Sequence, residues 1–387
     1  MPANTSDRSA DQPTGRVLTV NGGSSGIKFA LFDAGTPPQR TLAGAVERVG
    51  LADAFLRASA HNRPDERRPI SANDPAEAVA GLVEWLDGLG ELARVTAIGH
   101  RVVHGGSKHF DPQLVTPELL ADLRAAVPLD PNHLPAEIRL IETLTHRLPG
   151  IPQVACFDTA FHKDLPQVAA RLPIPRRYFD AGIQRYGFHG LSFAYLMGEL
   201  ERLDGPEAAR GRVILAHLGS GASMAAVKDG KCIDTTMGLT PAGGLMMGTR
   251  PGDLDPGVLI HLLRTEKLSA DDLDRLVNRE SGLLGVSETS SDMRDLLARQ
   301  ATDPRAAEAV EMFCYQARKW VGALAAALGG LDTLVFAGGV GENSSEVRDR
   351  ICDGLGFLGN VDVRVIPTDE ELMIARTVVR LMESPRE

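Results

Sequence analysis

Three glycine-rich turns each follow a β-like run: NGGSSG at 21–26, HLGSGAS at 217–223 and AGGVGENS at 337–344. Glycines let the backbone come close to a phosphate chain, and the N–H groups of such turns form an anion-binding nest. An ordinary hairpin turn explains either of the first two, taken singly, equally well. None has GxxxxGK[ST] or GxGxxG spacing, so P-loop and Rossmann sites lose support. Lys28, close after the first turn, either neutralises phosphate or points outward from the second strand.

Two arginines sit where anion chemistry would use them. GHRVVHGG (99–106) puts Arg101 at a strand-to-loop transition, and its guanidinium fork matches a carboxylate or phosphate. His100 and His104 in the same segment read as structural. Arg250 lies in TPAGGLMMGTRPGDLDP (240–256), a loop too rich in Gly and Met for regular structure, and long loops inside compact domains are usually functional or mobile. Asp253 and Asp255 there set turns. CFDTAFH (156–162) ends an apolar run with Asp158, either a carboxylate at a strand tip or a helix N-cap, and YGFHGLS (186–192) holds His189 between an aromatic residue and a glycine. PTDEELMIAR (367–376) offers Glu370 and Glu371 at a helix start, where the helix dipole alone favours acids.

The elements that must position these residues alternate as in an α/β protein. Residues 17–33 read as two strands around the first turn. Shifted by 196 positions the pattern recurs from Val213, with Val17, Gly23, Ser24, Ala30 and Asp33 matching Val213, Gly219, Ser220, Ala226 and Asp229, as a duplicated nucleotide-binding domain would leave. Segments 75–89 and 117–127 read as helices, the second with Thr116 as N-cap and Pro117 at the first helical position. Segments 95–106 and 151–158 read as strands ending in functional loops. Val310, Phe313, Ala317, Trp320, Leu324 and Leu328 recur at spacings of three and four on a long helix ended by Gly329 and Gly330, before a strand, glycine turn and helix start at 334–344.

With 387 residues, 43% of them hydrophobic, the chain can bury two cores, and two domains with a cleft between them are expected. The net charge of -10 opposes binding to nucleic acid or anionic lipid, while local arginines can still admit a small anion. Four scattered cysteines without a CxxC pair indicate neither zinc nor disulfides. No secretory signal is present, and the most apolar stretch, 320–331, is too short to span a bilayer, so no membrane partner and an intracellular location are expected. Residues 1–15 have the composition of a disordered tail.

In combination and in this order, GHRVVHGG, the FDTAFH and YGFHG pair, GLMMGTRPGDLDP and GENS closely resemble the acetate and propionate kinases of the actin, sugar kinase and Hsp70 superfamily, over about residues 16–383. The resemblance implies an α/β fold of two ribonuclease-H-like (actin-like ATPase) domains with an interdomain cleft, and a cytoplasmic homodimer. The N-terminal domain is expected at 16–158, completed by a C-terminal helix at about 372–387, and the nucleotide-binding and dimerisation domain at 159–371. The implied reaction is reversible, Mg²⁺-dependent phosphoryl transfer between ATP and acetate, giving acetyl phosphate and ADP by direct in-line transfer, with Mn²⁺ as a possible substitute metal.

The resemblance also distributes roles. Asn21 and Glu370 are implied as Mg²⁺ ligands, Lys28 as a phosphate-side residue and Arg101 as the holder of the substrate carboxylate. Asp158 is implied at the reacting centre as an acid/base residue. A carboxylate nucleophile has no proton to lose, so positioning and the metal's electrostatics are the expected part for Asp158. His189 and Arg250 resemble stabilisers of the transferring phosphoryl, for which an arginine can contribute roughly 10³ to 10⁵ in rate. Nucleotide contacts are implied for His217, Leu218, Gly219, Ser220 and Gly221, for Asp292, Met293 and Arg294, and for Gly339, Val340, Gly341, Glu342 and Asn343.

Several positions depart from the family pattern. NGGSSGIK replaces NAGSSSLK, putting Gly26 for a phosphate-side serine; HLGSG puts Ser220 for an asparagine; and PAGG replaces PLEG. PLDPNHLP (128–135) replaces PLAPLHNP, so Asn132 stands for an apolar pocket residue and would narrow or wet the acyl pocket. With Val103 and Pro241 as other walls, a small acyl group is expected, acetate ahead of propionate. A sugar or polyol kinase would need a carboxylate base such as Asp158, but the paired arginines favour an anionic acceptor. A nucleotide-dependent binding protein without turnover would have no need of Arg101, Asp158, His189, Arg250 and Glu370 together.

Overall fold

The computed structural model describes residues 15–23, 26–60 and 63–383. Most of the expected N-terminal tail, and Ser24 and Ser25 of the first glycine turn, lie outside the described residues. The chain divides into two compact units, Met1–Phe157 with Glu370–Glu387, and Asp158–Asp369.

The first unit is built on strands β1 (Arg16–Gly22), β2 (Gly26–Asp33), β3 (Gln39–Glu47), β4 (Phe55–Ala60), β5 (Arg63–Pro69), β6 (Val95–Val102), β7 (Gln113–Leu114) and β8 (Gln153–Phe157), in the order β5-β4-β3-β2-β1-β6-β8-β7. The strands β1 to β5 form an antiparallel meander, while β1, β6 and β8 run parallel. β8 is buried along its whole length, as a parallel strand covered on both faces must be. Helices Pro75–Gly88 and Leu134–Arg147 and the C-terminal helix Glu370–Glu383 pack on this sheet. Leu18, Phe29, Leu31, Leu82, Trp85, Ile98 and Leu144 belong to its core.

The second unit carries β9 (Val213–Leu218), β10 (Ala222–Lys228), β11 (Lys231–Thr235), β12 (Thr333–Ala337) and β13 (Asp362–Val365), in the order β11-β10-β9-β12-β13. Here too a three-stranded antiparallel meander continues into two parallel strands. The run β3-β2-β1-β6-β8 of the first sheet has the same order and the same directions. The segments related by 196 positions fall on matching hairpins, with Val17 opposite Phe32 and Val213 opposite Val227.

Local signals explain several element ends. The Thr116 hydroxyl accepts the Leu119 N–H at 3.1 Å at the head of helix Pro117–Ala126, a cap worth about 1 kcal/mol. Helix Pro304–Leu328 stops at Gly329, which takes the left-handed conformation at φ 74°. Its buried stripe differs from the expected one at a single step: Val321 is fully buried and Trp320 only partly, because the stripe continues from Ala317 by four residues rather than three. Among the described residues no helix is long and apolar enough to cross a membrane.

Candidate active site

In the first unit the functional side chains cluster where the parallel strands end. β1 and β6 are registered with Val20 beside His100, and β6 and β8 with Arg101 beside Cys156, so Asn21, Arg101 and the end of β8 occupy neighbouring tips. Asn21, 8% exposed, donates from Nδ2 to Glu370 Oε2 at 3.0 Å. An amide and a carboxylate are oxygen donors of the kind Mg²⁺ takes alongside phosphates and water. Among the described residues no cluster of three or more His, Cys, Asp and Glu could hold a metal by itself. Lys28, opposite Asn21 in the hairpin, is exposed and lines a groove with Arg40, Arg57 and Glu371.

Arg101 is partly exposed and Val103 buried. The Val103 N–H donates at 2.9 Å to Glu137, a carboxyl inside helix Leu134–Arg147. Burial pushes the Glu137 carboxyl up to about 7, against the opposing pull of the Arg101 guanidinium and the Val103 hydrogen bond. His100 and His104 are both fully buried and held near 4 chiefly by burial. His100 Nε2 meets Gln153 Oε1 at 2.5 Å, and His104 Nδ1 accepts the Gly106 N–H at 2.8 Å. Both therefore serve the strand end rather than a ligand. Asn132 is exposed in the turn before the helix, beside His133, whose Nδ1 pairs with Asp130 at 2.9 Å.

The second unit brings together the residues expected on the phosphate side. Asp158, which directly follows β8, is fully buried, and its carbonyl accepts the Gly190 N–H at 2.8 Å. A methyl group at Gly190 would lie 2.2 Å from that carbonyl oxygen, which explains the glycine after His189. His189 adopts the left-handed conformation, φ 57°, as N-cap of helix Gly190–Asp204. Its Nδ1 meets Ser223 Oγ at 2.8 Å, and its ring stacks on His217 with centres 4.3 Å apart.

Around this pair three glycine-rich segments converge. A methyl at Gly221 would sit 2.9 Å from Arg250 Nη2 and 3.4 Å from His189 Nε2. A methyl at Gly219 would sit 3.6 Å from His217 Nε2 and 3.9 Å from the Gly339 nitrogen. Arg250 is braced by Nη1 donating to the Pro241 carbonyl at 2.6 Å, and its loop is tied to the 217–221 turn by the Gly248 N–H donating to Ser220 at 3.0 Å. Leu218 is buried, and Ser220 is exposed at the turn's tip.

Helix Gly338–Asn343 leaves Gly339 and Asn343 exposed and buries Gly341, with Val340 half-buried. Glu342 turns its carboxylate to backbone, accepting from Gly338 at 2.9 Å and Thr368 at 3.1 Å. Asp292 caps helix Met293–Arg299 and pairs with the exposed Arg294, whose guanidinium holds the Asp292 carboxyl below the usual range; Met293 is buried. The serines Ser192 and Ser223, which orient the two histidines, were missed by the motif reading. Their signal was there: Ser192 lies three residues after His189, and Ser223 alternates into a strand otherwise filled with apolar residues.

Two sheets that share one five-strand run of order and direction define a two-domain α/β fold of the actin-like kind. Residues 16–363 match the model of the acetokinase family. The chain is 45% identical to an acetate kinase of Rhodopseudomonas palustris, over 96% of this chain and 99% of the relative. It superposes on the crystal structure of a Porphyromonas gingivalis acetate kinase with TM-score 0.86 and 37% identity, covering 95% and 100% of the two chains. For a propionate kinase from Francisella tularensis the TM-score is 0.89, with 34% identity and 94% and 98% coverage. The chain belongs to the acetokinase family, and its activity class is that of a kinase with a carboxylate acceptor.

Proposed function

We propose that this chain catalyses reversible transfer of the terminal phosphoryl group between ATP and acetate, giving acetyl phosphate and ADP. A carboxylate oxygen attacks the γ-phosphorus in line, the bond to the β–γ bridging oxygen breaks, and ADP leaves. The observation that carries this reading is the approach of Arg250 Nη2 and His189 Nε2 to the same residue, Gly221, in the glycine turn. Donors fixed around a small volume stabilise charge spread over a transferring phosphoryl, and in such reactions positioning and neutralisation supply nearly all the catalysis.

Arg101 takes the acetate carboxylate by its planar fork, with Val103, Asn132 and Pro241 as acyl walls. Asp158 positions the reacting groups. The nucleotide rests on His217, Leu218, Gly219, Ser220 and Gly221, on 292–294 and on 339–343, with Lys28 on the phosphate side. Asn21 and Glu370 would hold Mg²⁺, or Mn²⁺ in its place, and the chemistry such an ion would supply there is Lewis-acid neutralisation of phosphate oxygens. Acetate is the preferred acceptor and propionate the alternative, since one methylene changes binding by only about 1 to 3 kcal/mol. A cytoplasmic homodimer is supported by the free cysteines Cys156, Cys232 and Cys314 and by helix Pro256–Thr265, which exposes Val258, Ile260 and Leu263 and buries none of its residues.

An acceptor screen tests the reading. ADP formation from ATP and Mg²⁺ should depend on acetate, run somewhat slower with propionate, and be absent with glycerol. Glycerol or butyrate outrunning acetate would overturn it.

A further inference from the structure

Ser192 is fully buried in the first turn of the helix that His189 caps. Its hydroxyl lies 2.8 Å from His217 Nδ1 and 2.7 Å from Thr368 Oγ1. Thr368 is in turn held by its backbone N–H, which donates to Glu342. One short chain of hydrogen bonds thus runs from the imidazole beside the 217–221 turn through Thr368 to the Glu342 carboxylate, which also accepts from Gly338 at the head of the third glycine segment.

A serine hydroxyl has one proton and two lone pairs, and the arrangements that spend that proton within this chain run in two directions. In one, Thr368 donates to Ser192 and Ser192 donates to His217 Nδ1, leaving the proton of a neutral ring on Nε2. In the other, His217 Nδ1 donates to Ser192 and Ser192 to Thr368, leaving Nε2 bare. Nε2 faces Gly219 in the turn proposed above to meet the phosphates. A bare nitrogen there repels phosphate oxygens, and an N–H binds them.

We propose that Ser192 is a positioning residue that commits its proton to His217 Nδ1, fixing the Nε2–H tautomer so that His217 presents a donor to the nucleotide phosphates. Ser223 stands in the same relation to His189, so the stacked rings present two parallel Nε2–H donors along one turn. The inference rests on the proposed phosphate-binding role of 217–221. Thr368 supplies the other end of the chain, its hydroxyl donating to Ser192 Oγ.

The test is a two-bond ¹H–¹⁵N correlation spectrum of the intact protein labelled at histidine, read beside steady-state kinetics. His217, identified by the signal lost in His217→Gln, should show protonated Nε2 and unprotonated Nδ1. Ser192→Ala should release a measurable Nδ1–H population and lower kcat/KM for ATP roughly tenfold, with the KM for acetate within about twofold. Thr368→Val should leave the tautomer in place, because Ser192 already gives its proton to His217. A wild-type His217 protonated on Nδ1, or a tautomer that follows Thr368→Val and ignores Ser192→Ala, would overturn the assignment. The spectrum needs no turnover, so its outcome is separate from whether acetate is phosphorylated.

Discussion

The imidazole of His189 lies against that of His217, ring centres 4.3 Å apart and planes inclined by 20°. The first ring comes from a left-handed helix cap and the second from a strand, β9, so two unrelated pieces of local structure set the stack. Each ring keeps Nδ1 on a serine hydroxyl and turns Nε2 toward the glycine turn. The two rings beside the turn are therefore held in orientation before any substrate arrives, and the consequences can be measured.

Gly221→Ala places a methyl 2.9 Å from Arg250 Nη2 while demanding no unusual backbone angle. The arginine must shift, and displacements of about 1 Å near a reacting group cost on the order of 10²-fold in rate. We expect kcat to fall by roughly 10 to 10² with little change in thermal midpoint. A variant with wild-type kcat would mean that Arg250 does its work elsewhere.

Arg101→Lys keeps the charge and removes the fork. The expected result is a kcat/KM for acetate lower by roughly tenfold or more, since hydrogen bonds to charged groups contribute about 1.5 to 3 kcal/mol. The KM for ATP should move by less than about twofold. Equal losses for both substrates would instead indicate a structural arginine.

Stability should rise with pH between about 4 and 6.5. His100, His104 and His162 are buried, and burial holds them near 4, below the ordinary imidazole value of 6.5. Folding therefore favours their neutral forms, and that contribution is present above 6.5 and lost as pH falls toward 4. Glu137 acts oppositely: its pKa is raised from 4.5 to about 7, so its contribution is present below 4.5 and lost as pH rises through 7. Three histidines outweigh one acid. Urea midpoints across pH 4.5 to 8 check this, and Glu137→Gln, which keeps an acceptor for Val103, should steepen the rise between about 4.5 and 6.5 and remove the fall between about 6.5 and 7.

Glu370→Gln leaves an oxygen but removes the charge from the Asn21–Glu370 pair. The Mg²⁺ concentration for half-maximal rate should rise roughly tenfold or more while the acetate KM changes little. An unchanged metal requirement would remove Glu370 from the metal site.

The parts legible in the sequence were those written in local code. The glycine turns, the Thr116 cap, the strand of Val95–Val102 and the long helix ended by Gly329 each declare themselves within a few residues. Arg101, His189 and Arg250 could be singled out because arginine or histidine among glycines has few structural uses. What stayed hidden depends on contacts distant in sequence. Ser192 reaches Thr368 across 176 positions, and no short window records it.

The most direct test of the account is a hydroxamate assay with ATP, Mg²⁺, acetate and hydroxylamine, comparing the intact chain with Arg250→Ala. Hydroxylamine traps an acyl phosphate as it forms. The account predicts acetohydroxamate from the wild type and a loss on the order of 10³-fold in the variant, the scale of an arginine at a transferring phosphoryl. Hydroxamate formed equally well without the Arg250 guanidinium, or none formed from acetate by the wild type, would contradict it.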